Sequence, residues 1–260
     1  MRMLRELAER KRILICVIHL PPLPGSAKYG GDLEDVINFA VECARRAEKG
    51  GADGVIVENF NDNPFLKKPD ITTIISMSVI VREVVRSVSI YVGVNILRNA
   101  CREAVYVASI CGASFIRCNA YCQPIVCPEG IIEPEAAHVW RAMREIGKRV
   151  EVLADINVKH ATSLYNPSIE DLVRDCVERC LADFIVVTGS RTGQAPDPGE
   201  VCQISKIANV PVLVGSGVNP SNISLYKCAR GIIVGTYIKD EKGMIDQGRV
   251  ERIRRELDML

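Results

Sequence analysis

The sequence carries no excess of either charge, no long apolar run, no paired-cysteine motif and no low-complexity linker. Each absence removes a class of protein. Lysine and arginine nearly balance aspartate and glutamate, for a formal net charge of +1, and the basic residues are scattered rather than gathered into a stripe. No nucleic-acid partner is expected, because holding a polyanion needs a concentrated cationic surface. The early apolar run ILICVIHL from Ile13 is short and ends in prolines, and no other stretch reaches membrane-spanning length without charges. No integral membrane segment is expected, and the cytoplasm is the default location. Eleven cysteines are present, none in a C-x-x-C pair, and the tightest group, Cys118, Cys122 and Cys127, is poorly spaced for structural zinc. Cys16, Cys43, Cys111, Cys176 and Cys180 fall on strand or apolar-helix positions, where a thiol packs as a small apolar group. The alternative is a set of intracellular disulfides, as hyperthermophiles form.

What is present is a packed α/β chain. Hydrophobic residues make up 48% and charged residues 25%, a balance that supports a sizeable core. Short β-branched runs alternate with stretches whose apolar residues recur every three or four positions. Eight strands are predicted: ILICVI from Ile13, GVIVE from Gly54, IYVGVN from Ile90, FIRCN from Phe115, VEVLADI from Val150, FIVV from Phe184, VPVLVG from Val210 and GIIVG from Gly231. They show little in/out alternation, as strands covered on both faces of a parallel sheet do.

Helix signals lie between them. Leu33, Val36, Ile37, Ala40, Ala44 and Ala47 form one stripe that Gly50-Gly51 stops. Ser168 with Asp171 opens the fifth helix, Asp197-Pro198 and Asn219-Pro220 open the sixth and seventh, and Val250, Ile253 and Leu257 line the eighth. The count of eight, and the lack of G-x-G-x-x-G in the first βα turn, favour closure over an open doubly wound sheet. The expected fold is a single closed (β/α)8 barrel of the TIM type over 1–260, with 1–12 as an N-terminal extension and long insertions after strands one, two, four, five and six.

In such a barrel the strand ends share one rim. Polar residues recur there: His19, Glu58, Asn59, Asn95, Arg117, Asn119, Asp155, Asn157 and Thr188. Apolar strands do not need them for packing, and a buried charge needs a partner or a substrate. Glu58 and Asp155 are the candidates for general base and general acid. Arg117 and Lys159 are candidates for stabilising developing negative charge, and a desolvated Lys159 would also suit a Schiff base. Gly215-Ser216-Gly217 after strand seven and Gly235-Thr236 after strand eight form the expected phosphate site, where backbone N–H groups can approach an anion closely. The loop TGSRTGQAPDPGE from Thr188 is longer than chain reversal needs and is expected to close over a ligand, with Thr192 among its contacts. His19, His160, Glu58 and Asp155 could together hold a divalent metal but lack diagnostic spacing, so a metal is allowed without being favoured and the cofactor is left open.

At these strand ends the chain resembles the BtpA family, which is named after a cyanobacterial protein linked to photosystem I accumulation and includes SgcQ-like proteins of sugar-utilisation operons. The resemblance spans most of the chain through HLPPLPG from His19, GADGVIVENFNDNPF from Gly51, GVNILRN from Gly93, FIRCN from Phe115, ADINVKHA from Ala154, VTGSRTG from Val187 and VGSGVNPSNI from Val214. The chain departs from the family pattern at Ala100 and at Cys127-Pro128-Glu129. The resemblance implies a barrel akin to the ribulose-phosphate-binding superfamily and leaves the reaction open.

The expected function is that of a cytoplasmic enzyme working on a phosphorylated sugar or related metabolite by acid/base chemistry, as an isomerase, epimerase or lyase. The alternative is a noncatalytic assembly factor, which an exposed apolar patch outside the rim would favour. Apolar and cysteine positions on the outer helices would allow a homo-oligomer.

Overall fold

The computed structural model describes residues 3–260, so the first two residues of the expected extension lie outside the described residues. Eleven strands follow one another among them: β1 (Ile13–His19), β2 (Gly54–Glu58), β3 (Tyr91–Asn95), β4 (Phe115–Cys118), β5 (Ile125–Cys127), β6 (Gly130–Ile132), β7 (Glu151–Ile156), β8 (Thr162–Ser163), β9 (Phe184–Val187), β10 (Val212–Val214) and β11 (Gly231–Val234). Eight of them close a parallel barrel in the order β1, β2, β3, β4, β7, β9, β10, β11, and β11 pairs back onto β1. Closure leaves no barrel edge exposed. The other three form a small antiparallel sheet, in which the hairpin β5–β6 from the loop after β4 pairs with β8 from the loop after β7.

The helices are α1 (Leu4–Arg10), α2 (Leu33–Lys49), α3 (Ile71–Ser87), α4 (Cys101–Cys111), α5 (Ala136–Ile146), α6 (Ile169–Arg174), α7 (Pro198–Ile207) and α8 (Gln247–Asp258). α2 buries the expected stripe and is capped by Asp32, whose side chain accepts from Glu34 N–H. Ser168 and Asp197 cap α6 and α7 as the sequence predicts. The seventh helix is not formed. Only a 3₁₀ turn, Ile223–Tyr226, stands there, because Asn219 uses its side-chain oxygen on Ser221 N–H and Asn222 returns a bond to Asn219 N–H. Such local bonds compete with a helix.

Alternation along each strand divides the core. Ile13, Ile15 and Val17 of β1 join Ile56, Phe115, Leu153, Phe184, Val186, Leu213 and Ile233 in the barrel interior, whereas Leu14, Cys16 and Ile18 pack outward with the helices. α1 closes the N-terminal end with Leu4 and Ala8, and Glu151 accepts from Leu4 N–H and Arg5 N–H at 2.7 and 2.9 Å, capping a helix that has no cap of its own.

Both readings of the cysteines hold, each for different residues. Cys16, Cys43, Cys111 and Cys176 are free and buried, and Cys180 is free and partly exposed. Cys101–Cys118 and Cys202–Cys228 are disulfides, the first tying α4 to β4 and the second tying α7 to the segment before β11. No helix among the described residues is long and apolar enough to cross a membrane.

Candidate active site

The alternation that fills the interior also builds the mouth. Two residues beyond Val17, Ile56, Gly93, Phe115, Leu153, Val186, Leu213 and Ile233 stand His19, Glu58, Asn95, Arg117, Asp155, Thr188, Gly215 and Gly235. They form the uppermost inward layer, one from each strand. The eight positions are scattered through the sequence and meet only because the barrel closes.

His19, Glu58 and Asn95 are register partners on β1, β2 and β3. Asn95 Nδ2 donates to Glu58 Oε2 at 2.6 Å, leaving Oε1 facing His19 Nε2 at 3.7 Å. The His19 ring stacks on Phe60, with centroids 4.0 Å apart. Burial first, then the charges of Lys239, Lys159 and Arg117, hold the imidazole well below its usual range, so His19 is neutral at pH 7.

Opposite, Arg117 and Asp155 form a two-pronged ion pair with both bonds at 2.9 Å, and Asn119 Nδ2 donates to the same carboxylate at 2.9 Å. Three donors thus occupy Asp155, whose side chain is fully buried. Asn119 Oδ1 is buried and accepts nothing, and Thr188 Oγ1 is likewise buried without a partner. Lys159 is depressed from its usual range by burial and then by Arg117, with Glu58 and Asp155 opposing.

The glycine corner lies beside this layer. A Cβ on Gly215 would stand 2.4 Å from Val186 Cγ1 and 3.3 Å from Arg117 Nη2, so glycine is what lets the guanidinium reach the turn. Gly217 has φ 70° and would press a Cβ to 2.2 Å from Ala195 N. Gly215 N–H is spent on Val187 O. Among the described residues, no acceptor engages the N–H groups of Ser216, Gly217, Gly235 or Thr236. The Ser216 hydroxyl is committed, accepting from Gly189 N–H at 2.9 Å and donating to Gln194 O at 2.7 Å.

Those bonds hold the segment 189–195 across the corner. A second staple joins Thr192 to His160, whose Nε2 accepts from Thr192 N–H at 3.1 Å and lies 2.9 Å from its hydroxyl. Under this cover the cup between Gly215, Gly217, Gly235 and His19 is tight, about 20 Å³. It opens beside a larger chamber of about 360 Å³, with which it shares Glu58, Arg117, Lys159 and Thr192.

Two expected residues lie elsewhere. Asn59 is turned into loop packing, donating to Asp62 Oδ2 and accepting from Leu97 N–H, because both of its polar ends find partners there. Asn157 adopts φ 49° and is exposed, facing a separate cleft with Gln123 and Asn166. Among the described residues no group of three His, Cys, Asp or Glu gathers as metal ligands. Of the residues weighed from the sequence, Asp155 is committed to Arg117 and His160 to Thr192.

The BtpA family model matches residues 10–258. The chain belongs to the BtpA family. Within reach of this family stand an uncharacterized protein of Pyrococcus furiosus, 43% identical over 252 residues with 96% of this chain and 95% of that one covered, and the photosystem I biogenesis protein BtpA of Synechocystis, 40% identical over 229 residues with 87% and 80% covered. Among solved structures, (S)-3-O-geranylgeranylglyceryl phosphate synthase of Thermoplasma acidophilum, in complex with sn-glycerol-1-phosphate, superposes with a TM-score of 0.65 at 13% identity, covering 100% of both chains. That likeness is one of fold.

In this BtpA-family barrel the mouth also holds residues that strand-end reading passed over. Phe60, Phe65, Arg98 and Glu129 line the chamber. The first three sit inside the motifs quoted above, but beyond the strand-end positions that drew attention. Lys239 lines neither cavity but is near enough to feel the charge of Glu58, and it carries no sequence signal. It lies five residues past β11, its Nζ is buried without a partner, and burial pulls it down to about 7 against the opposing charge of Glu58.

Proposed function

We propose that this protein is an enzyme that binds a small phosphorylated metabolite and moves a proton at one of its carbons, as an isomerase, epimerase or lyase. One observation carries the reading: unengaged backbone N–H groups of Ser216, Gly217, Gly235 and Thr236 belong to the same cavity as Arg117, Lys159 and Glu58. N–H groups fixed in a loop, backed by cations in a partly dry cavity, suit a phosphate dianion. Glu58 is the proton carrier, because Asn95 fixes one oxygen and leaves the other toward the cavity. Asp155 is better suited to orienting Arg117 than to the general-acid role its position suggested, since all its bonding is inward. Lys159 then stabilises negative charge developing on the substrate oxygen. The solved glycerol-phosphate complex of the Thermoplasma synthase is consistent with this use of the fold. A thermal-shift titration with inorganic phosphate and a panel of phosphate esters tests the reading. Stabilisation that is lost in Arg117→Met is expected, and no stabilisation by any of them would overturn it.

A second reading, a noncatalytic assembly factor, has its own observation. Ile71, Ile75 and Val79 form an exposed stripe along α3, at 69%, 57% and 42% exposure, with Ile110 of α4 at 72%. The name of the Synechocystis relative points the same way. The two readings separate cleanly, because Ile71→Ser with Ile75→Ser abolishes an assembly role and leaves phosphate binding intact.

A further inference from the structure

The cup explains a phosphate but not the body attached to it. Resting on the phosphate reading above, the chamber that adjoins the cup describes that body. Its floor is polar, formed by Glu58, Arg117, Asn119 and Lys159, which it shares in part with the cup. Its side wall is not. Phe60, Phe65 and Leu97 stand there together with Pro64 and Pro128. A sugar phosphate presents hydroxyls in every direction, and those turned toward such a wall would lose water without gaining partners. A flat ring meets the same wall favourably, through apolar contact and ring-on-ring packing.

The floor adds a second requirement. Asn119 Nδ2 is fixed on Asp155 Oδ2, which determines the orientation of the amide, and its Oδ1 is left buried with no donor. Glu129 also lines the chamber, with Arg98 Nε 3.6 Å from its carboxylate. An acceptor left without a donor in a buried site favours a ligand that supplies one.

We infer that the substrate is a phosphate monoester with a flat, ring-bearing body that carries an N–H or O–H donor on the ring, rather than an open polyol phosphate. The phosphate lies in the glycine cup after displacement of part of the segment 189–195, the ring lies against Phe60 and Phe65, and the ring donor meets Asn119 Oδ1. The arrangement puts the carbon between phosphate and ring nearest Glu58, the position from which a proton would be taken.

Calorimetric titration of the full chain with four probes tests this: inorganic phosphate, ribose 5-phosphate, benzyl phosphate and 3-hydroxybenzyl phosphate. Benzyl phosphate is expected to bind about tenfold more tightly than ribose 5-phosphate, and the hydroxybenzyl ester more tightly again. Phe65→Ala should erase most of the advantage of the ring. Ribose 5-phosphate binding as tightly as benzyl phosphate, with inorganic phosphate also bound, would overturn the ring inference alone. Failure of all four probes would overturn the phosphate reading beneath it. Because the ligand comparison is made on the unaltered chain, it stands even if the variant folds poorly.

Discussion

Arg117 and Asp155 stand on adjacent staves of the barrel and lock together through two bonds of 2.9 Å, with side chains 3% and 0% exposed. Each charge is out of water, so each depends on the other. Asp155→Asn should therefore destabilise the fold by about 3–5 kcal/mol, the usual cost of stranding one member of a buried pair. The double variant Arg117→Met, Asp155→Leu should recover most of that loss while binding no phosphate. Denaturant midpoints alongside phosphate titrations check both halves. A double variant that still binds phosphate would remove Arg117 from the anion site.

Glu58 is held by Asn95 from the neighbouring strand. On any substrate found, Glu58→Gln should lower kcat by about 10²–10⁴-fold, the range of a single general base. Asn95→Ala should act more mildly and on kcat more than on KM, because it frees the orientation of Glu58 without removing the carboxylate.

Burial pulls Lys239 down to about 7, and Glu58, whose charge opposes that shift, lines the cavity proposed to hold the phosphate. The positive charge of Lys239 is lost as pH rises through that value, so phosphate affinity should fall above about pH 7 and Lys239→Met should flatten that limb. Because the folded chain holds this amine far below its free value, protonation is favoured more in the unfolded chain, and stability is lost as pH falls from the free value toward 7. The same substitution should accordingly raise the melting temperature at neutral pH.

His19 and His160 are both depressed, chiefly by burial and then by neighbouring cations. Their contribution to stability is complete above the ordinary histidine range and falls as pH drops from 6.5 toward their lower folded values. Protonation of His160 also removes the acceptor that Thr192 N–H uses, so the segment 189–195 should loosen in acid. Amide exchange of that segment between pH 7 and pH 5 measures it, and His160→Phe should show fast exchange at both.

The two disulfides close loops of 17 and 26 residues. Each should contribute about 3 kcal/mol, chiefly by restricting the unfolded chain. Alkylation under denaturing conditions should label seven cysteines before reduction and all eleven after. Eleven labelled without reductant would show both pairs open.

The barrel and the inward strand-end layer of its mouth were readable from the residues alone, because both follow from short-range rules. β-branched runs specify strands, their number specifies closure, and a polar residue two positions beyond the last apolar inward one must surface at the rim. His19, Glu58, Asn95, Arg117, Asp155 and Thr188 depend on no more than that. His19, Glu58 and Gly215 could be named without knowing what stands beside them.

Partnership was another matter. Nothing near Asp155 in sequence says that Arg117 and Asn119 will consume its hydrogen-bonding capacity, nothing near Ser216 says that its hydroxyl belongs to Gln194 and Gly189, and Lys239 has no local mark at all. The seventh helix failed for a different reason, and a local one: the side-chain bonds among Asn219, Ser221 and Asn222 compete with the helix that the cap signal would open. Local periodicity determined which residues reach the mouth. Tertiary structure decided which of them remain free there, because a hydrogen bond or a shifted pKa depends on atoms brought close by chain closure rather than on sequence neighbours.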